Sequence, residues 1–135
     1  LFYKNDKFIE DRTDYMAKLL RSKVKGAVFD CRCFNIPKEE VTNLVYWRQL
    51  DASRNSVEAL GRHYYSTKQL YKKSCKDIKQ MLIDDNKPLT YDMLDTKFQI
   101  GISCKRGGTG KWVVDTNMPL LKGEDRQYLD SLIFI

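Results

Sequence analysis

The sequence predicts an α+β fold, and three observations carry that expectation. A long run with helical spacing, from about Lys38 to Tyr65, opens behind Pro37. A short β-favouring stretch, Ala27 to Phe34, precedes it. Two further strand-like stretches, Phe98 to Lys105 and Lys111 to Asp115, flank the glycine-rich Arg106-Gly107-Gly108-Thr109-Gly110. Helices and strands in this order, with no repeat and no low-complexity linker between them, fit residues 1–135 as a single domain or half of one. With 42% hydrophobic and 12% aromatic residues among 135, the chain has enough apolar side chain for a core.

Each element has a local reason. From about Asp6 to Lys25, Phe8, Tyr15, Leu19 and Leu20 recur among many charges, an amphipathic helical pattern. Ala27 to Phe34 is short, apolar and bounded by Gly26 and by Asn35-Ile36-Pro37, which predicts an interior strand carrying Phe29 and Phe34. Pro37 then suits a helix start, because the first turn leaves its N–H groups unpaired and proline has none to leave. Glu39 and Glu40 place carboxylates at the positive end of the helix dipole. That helix, from about Lys38, is expected to pack on the strand through Val41, Leu44 and Val45. Ser74 to Ile83 predicts a shorter helix among Lys68, Lys72, Lys73, Lys76 and Lys79, and Tyr91 to Leu94 a single turn beyond Pro88. The glycines of 107, 108 and 110 suit a hairpin between the last two strands, and Asp125 to Leu132 predicts a short helical tail.

Composition narrows the function. A net charge of +6 favours an anionic partner, nucleic acid or nucleotide phosphate among them. Cys31, Cys33, Cys75 and Cys104 form no Cys-x-x-Cys pair, which argues against a zinc site and a disulfide framework and fits the reducing cytoplasm. No stretch approaches the roughly 20 apolar residues of a membrane span. The chain opens on Leu1, so further sequence is expected upstream.

The long helix carries the most suggestive pattern. Arg48, Asp51, Asn55, Glu58 and Arg62 step by three or four residues and so form one polar stripe. A solvated face laced with ion pairs would produce that stripe. So would one wall of a phosphate site, in which Arg48 holds oxyanions through its fork, Asn55 donates to them and Asp51 orients a neighbour. Spacing does not choose between the two. Elsewhere the signals are weaker. Gly-Gly-Thr-Gly-Lys-Trp at 107–112 departs from a Walker loop at Lys105 and Trp112, so a hairpin turn is the better account. His63 reads as a surface or packing residue, Cys31 as a small apolar group, and the lysines of 68–79 as either a solvated basic face or an RNA contact.

The segment Phe29-Asp30-Cys31-Arg32-Cys33-Phe34 through Trp47-Arg48-Gln49-Leu50-Asp51-Ala52-Ser53-Arg54-Asn55-Ser56 resembles the signature of the tRNA-His guanylyltransferase family, in its bacterial and viral guanylyltransferase-like branch. The stretches from Tyr64 to Leu82 and from Lys111 to Ile133 are similar to later parts of the same family. The resemblance runs in register from about Gly26 to Ile133, and residues 1–25 match poorly. It implies a partial polymerase-palm-like sheet with packed helices, and an enzyme that adds nucleotides to the 5' end of tRNA in the 3'-to-5' direction. It also implies GTP or ATP as substrate, tRNA as partner, a homo-oligomer (tetramer), and two Mg2+ ions assisting the attack. The family's metal carboxylates lie on an upstream aspartate segment and a Ser-Asp-Glu strand, neither of which this sequence contains. The chain is therefore expected to be the C-terminal half of the catalytic region, with no catalytic or metal residue of its own and no activity in isolation.

Position by position, the resemblance places Arg48, Asp51 and Asn55 in the handling of triphosphate and tRNA. Asp30 and Arg32 fall on a supporting strand, and Lys68 and Lys73 on the tRNA-facing region. Ser53 stands where eukaryotic members carry histidine, which favours 5'-end repair over strict G addition. Thr67 and Gln99-Ile100-Gly101 depart from basic positions of the family. The alternative function is a non-catalytic RNA-binding or assembly module that kept the fold without the metal site.

Overall fold

The computed structural model describes residues 6–29, 31–32, 35–106 and 108–127, and these divide into two compact units, residues 1–38 and 39–135. The first is built on α1, Asp6–Lys23, which begins where the helical pattern was expected and ends two residues earlier. Arg21 and Lys23 occupy its last turn, where cations favour the negative end of the dipole. Gly26, at φ +80°, then turns the chain, a conformation that costs glycine little. Arg21 Nη2 donates to the Phe29 carbonyl at 3.0 Å, tying the segment after the turn back to α1.

That segment is not the expected interior strand over the residues described. Ala27–Phe29, Cys31 and Arg32 join no ladder, and Val28 is 88% exposed with Phe29 half-buried. Residues 30, 33 and 34 of that stretch lie outside the described residues. Its composition favours β structure, but a strand is stable only when a neighbouring strand pairs with it, and among the described residues none does.

The second unit is organised around α2, Val41–Tyr64, entered through a 3-10 turn at Lys38–Glu40. The expected helix is thus borne out to within a residue at its C-terminal end. Val41, Thr42, Gln49, Val57, Leu60 and Gly61 make its buried face. Val41 is buried, whereas Leu44 and Val45, expected with it against the strand, are half-buried. At the far end Tyr65 turns extended, its N–H held by the Gly61 carbonyl at 2.8 Å.

Two capping boxes then start two helices in quick succession. Ser66 and Gln69 exchange side-chain and backbone bonds at the head of α3, Thr67–Leu70. Ser74 and Asp77 do the same at the head of α4, Cys75–Asp84. Hydrogen bonds from the Ser74 side chain and backbone hold the Asp77 carboxyl below the usual carboxylate range. The sequence reading placed α4 within a residue of its bounds and missed α3, whose single turn is too short to show a period.

The core lies where α4 crosses α2: Val57, Leu60, Tyr65, Ile78 and Leu82, with Leu70, Met81, Tyr91 and Leu94 closing it. Buried Tyr65 donates its hydroxyl to Asp85 Oδ2 at 2.7 Å. Burial foremost, then that bond and the nearby charges of Asp85 and Asp84, push the Tyr65 hydroxyl up to about 12. In the unfolded chain it would ionise near pH 10. Between pH 10 and 12 the unfolded state therefore loses a proton that the folded state keeps, and stability falls with rising pH. We expect the urea midpoint to drop across that window more steeply in the natural chain than in Tyr65→Phe, and parallel curves would show that this hydroxyl is not linked to folding.

A 3-10 turn at Tyr91–Met93 agrees with the single turn anticipated there and leads to α5, Thr96–Ile100. Here Phe98–Ile100, expected as the start of a strand, is helical instead. Asp95 takes the N-cap position and Gly101, at φ +88°, ends the helix, so the apolar residues between them fill one helical turn. α5 packs along α2: Ser56 Oγ lies within hydrogen-bond reach of the Ala52 carbonyl on its own helix, at 3.0 Å, and of the Phe98 carbonyl.

The strands that do form are β1, Ser103–Arg106, and β2, Trp112–Asp115. They pair antiparallel from Ser103 opposite Asp115 to Arg106 opposite Trp112, across the glycine-rich turn anticipated between them. A strand leads out of that turn as well as in, unlike the helix of a phosphate-binding loop. The described chain is thus mostly helical with one small antiparallel sheet, and the α+β class is borne out. The last described residues form a 3-10 turn at Gly123–Asp125 and two helical residues, Arg126 and Gln127; the rest of the expected tail lies outside the described residues.

Candidate functional site

The stripe on α2 resolves into two kinds of residue. Gln49, within it in sequence, points inward and is only 2% exposed. Its Nε2 donates to the Pro119 carbonyl at 2.9 Å, and its Oε1 accepts from the Leu121 N–H at 2.8 Å. One side-chain amide thereby holds the 118–121 segment against α2, with Met118 and Leu121 buried beside it. Arg126 donates to Asn43 Oδ1 one helical stretch earlier on α2 and fixes the next part of the same segment.

The outward face carries charge. Asp51 accepts from Arg48 Nη1 at 3.0 Å on one carboxylate oxygen and from Arg54 Nη2 at 2.5 Å on the other. Both guanidiniums are open, 71% exposed for Arg48 and 61% for Arg54, whereas the carboxylate between them is largely covered. Asp51 therefore acts as a brace between two guanidiniums that remain largely exposed, each with five N–H donors in its fork. Trp47 and Leu50 stand exposed beside it, and with Asp51 and Arg54 they line a shallow depression. Asn55 is exposed on the same helix, and Glu58 and Arg62 form a looser pair at 3.6 Å further along. The structure thus brings Arg48 and Asp51 into contact and adds Arg54, which the sequence reading passed over although it lies three residues from Asp51.

Ser53 sits a turn away from the exposed face, half-buried, with its Oγ 2.7 Å from the Tyr91 hydroxyl. Lys79 Nζ lies over the Tyr91 ring at 3.8 Å from its centroid. Lys68, in α3, and Lys73, before α4, are exposed and belong to a different part of the unit from the Arg48–Asp51–Arg54 group in sequence and element. Arg32 is exposed in the first unit, and Asp30 lies outside the described residues. His63 is exposed and meets Tyr64 edge-on, with ring centroids 4.6 Å apart.

The Mg2+ implied by the sequence resemblance does not fit these residues. Asp51 is the carboxylate of the site, and both its oxygens already serve guanidiniums, whose positive charge opposes a cation. Among the described residues no group of three or more histidine, cysteine, aspartate or glutamate side chains is placed to hold a metal ion. No described helix is long and apolar enough to cross a membrane.

Among solved structures, the chain matches a bacterial tRNA(His) guanylyltransferase (Thg1)-like protein in complex with ATP, at 27% identity and a TM-score of 0.72, over 94% of this chain and 55% of that one. The chain is similar to the guanylyltransferase-like proteins. A bacterial protein of the same description in complex with GTP matches at 24% identity and a TM-score of 0.49, over 94% of this chain and 51% of that one. No protein-family model and no curated protein matches the chain. The chain spans about half the length of the matched guanylyltransferase-like structures. The match at a TM-score of 0.72 agrees with the resemblance read from the Trp47–Ser56 motif.

Proposed function

We propose that this chain forms part of a tRNA 5'-end nucleotidyltransferase, acting in guanylylation of tRNA-His or in repair of tRNA 5' ends, and that α2 supplies contacts to the phosphates of GTP or ATP. The similarity to a guanylyltransferase-like protein in complex with ATP supports a nucleotidyltransferase-related role. The observation that carries the reading is the brace: one carboxylate holding two open guanidiniums on a rigid helix.

Physical chemistry gives the brace a purpose. A free arginine side chain must give up rotamer entropy to grip an oxyanion, and pairing with Asp51 removes part of that cost before the ligand arrives. The carboxylate lowers the net charge of the group but leaves it at plus one, and the N–H forks match phosphate oxygens in geometry. Asn55, one turn beyond Asp51, adds a neutral donor to the same line. Lys68 and Lys73 fit contacts to the tRNA backbone, and Arg32 with Asp30 a supporting place.

Binding of ATP and of inorganic tripolyphosphate to the natural chain, Arg48→Ala and Asn55→Ala tests this. A charge-assisted bond to phosphate is worth about 1.5–3 kcal/mol, so Arg48→Ala should weaken both ligands at least about tenfold. Asn55→Ala should weaken them less. Affinities unchanged within about twofold would return the stripe to a solvated face, since exposed ion pairs typically contribute under about 1 kcal/mol.

A further inference from the structure

We infer that the depression beside the brace is a stacking site for an unpaired nucleobase of a single-stranded RNA end, with Trp47 as its platform and Arg54 as the clamp on the adjoining phosphate. The inference rests on the reading of α2 as a phosphate-binding face and extends it to Trp47 and Leu50, which that reading does not use.

Positions 47, 50, 51 and 54 recur at helical spacing and so lie along one line of α2. An indole left 64% exposed next to an exposed Leu50 is a costly surface for a helix to present to water. It is flat, apolar and two-faced, which suits the π-face of any base. The Arg54 guanidinium lines it on the polar side, held by Asp51, which also pairs with Arg48. An apolar platform edged by fixed cations matches a nucleotide unit, which is an apolar ring joined to an anion. It does not match an apolar peptide, for which the two arginines would have to be desolvated without a partner.

The openness of the depression favours a strand over a free nucleotide. Among the described residues no wall encloses a ligand there, so a single nucleotide gains one stack and one or two ionic contacts against the full loss of its freedom. A strand gains the same stack while its neighbouring phosphates meet the field of a chain with net charge +6. A base already paired in a duplex has no free face to offer, so the site selects unpaired ends.

The chain has two tryptophans, and Trp112→Phe leaves Trp47 as the sole indole reporter. In that background an oligouridylate about eight nucleotides long, within the usual span of such sites, should quench Trp47 emission with the same midpoint as its own anisotropy change. Trp47→Ala should weaken the oligouridylate about tenfold, ~1.4 kcal/mol, and leave tripolyphosphate affinity unchanged. Trp47→Phe should recover most of the loss, and a blunt RNA duplex should leave Trp47 emission unmoved. Oligouridylate that fails to bind, that binds without quenching Trp47, or that binds Trp47→Ala as tightly as the parent overturns the proposal. Equal quenching by ATP at equal concentration overturns the assignment to RNA in favour of free nucleotide. Tripolyphosphate binding that depends on Arg48 while Trp47 stays silent would sink this inference alone. An RNA affinity that depends on Trp47 with no dependence of tripolyphosphate on Arg48 would sink the phosphate reading alone.

Discussion

Gln49→Leu is expected to lower the free energy of unfolding by about 2–5 kcal/mol, because it orphans two backbone groups at once. The volume change is small, so little of that cost comes from a cavity. The Leu121 N–H loses its acceptor at a residue that is wholly buried, and the Pro119 carbonyl loses its donor beside it. An unsatisfied buried group costs about 1–3 kcal/mol, in full at Leu121 and in part at half-buried Pro119, where water can replace some of the lost bond. Urea unfolding followed by far-UV circular dichroism measures the effect. Gln49→Glu sharpens it: a carboxylate still accepts from Leu121 but repels the Pro119 carbonyl, so that variant should not recover the stability. A loss under about 1 kcal/mol for Gln49→Leu would mean that the 118–121 segment leaves α2 freely and that the amide does not hold it.

This residue also shows where sequence reading stops. Gln49 stands between Arg48 and Asp51 in a stretch that looks polar throughout, and its partners are 70 and 72 positions away. No local period encodes that pairing. Thr42, also buried on α2, is polar for the same reading and was likewise not among the expected core positions. By contrast, features whose cause is local were legible. The run from Ser74 to Ile83 marked α4, the run after Pro37 marked α2, and the glycines near 107–110 marked a hairpin. Where the reading failed, a local preference lacked its tertiary partner or was overruled by caps. Ala27–Phe29 favours β structure but finds no ladder among the described residues, and Phe98–Ile100 became helical between Asp95 and Gly101. Arg48 and Asp51 were found from i to i+3 spacing. The same rule applied once more, from Asp51 to Arg54, would have found the third member of the brace.

Gly61→Leu should cost about 3 kcal/mol, the upper part of the range for overpacking a well-filled core. Gly61 lies in the last turns of α2, at the point where that helix meets both α3 and α4. A Cβ built there would stand 3.1 Å from Ile78 Cγ2 and 3.3 Å from Leu70 Cδ2, closer than side chains normally approach. The missing side chain is therefore what lets α4 pack onto α2 beside Leu60, Ile78 and Leu82. A single methyl is a mild intrusion, since both neighbours are flexible side-chain ends that can shift by a few tenths of an ångström. Alanine also favours a helix interior over glycine by about 1 kcal/mol, so Gly61→Ala should come out near neutral. Three further carbons have no such room. They must displace Ile78 and Leu70 together, and with them the core around Val57 and Leu82. The two variants thus separate crowding from helix propensity: propensity alone would make both substitutions stabilising. If Gly61→Leu unfolds at the same urea midpoint as Gly61→Ala, the close approach of α2 and α4 is not what positions the core, and α2 owes its place to the contacts of Gln49 and α5 instead.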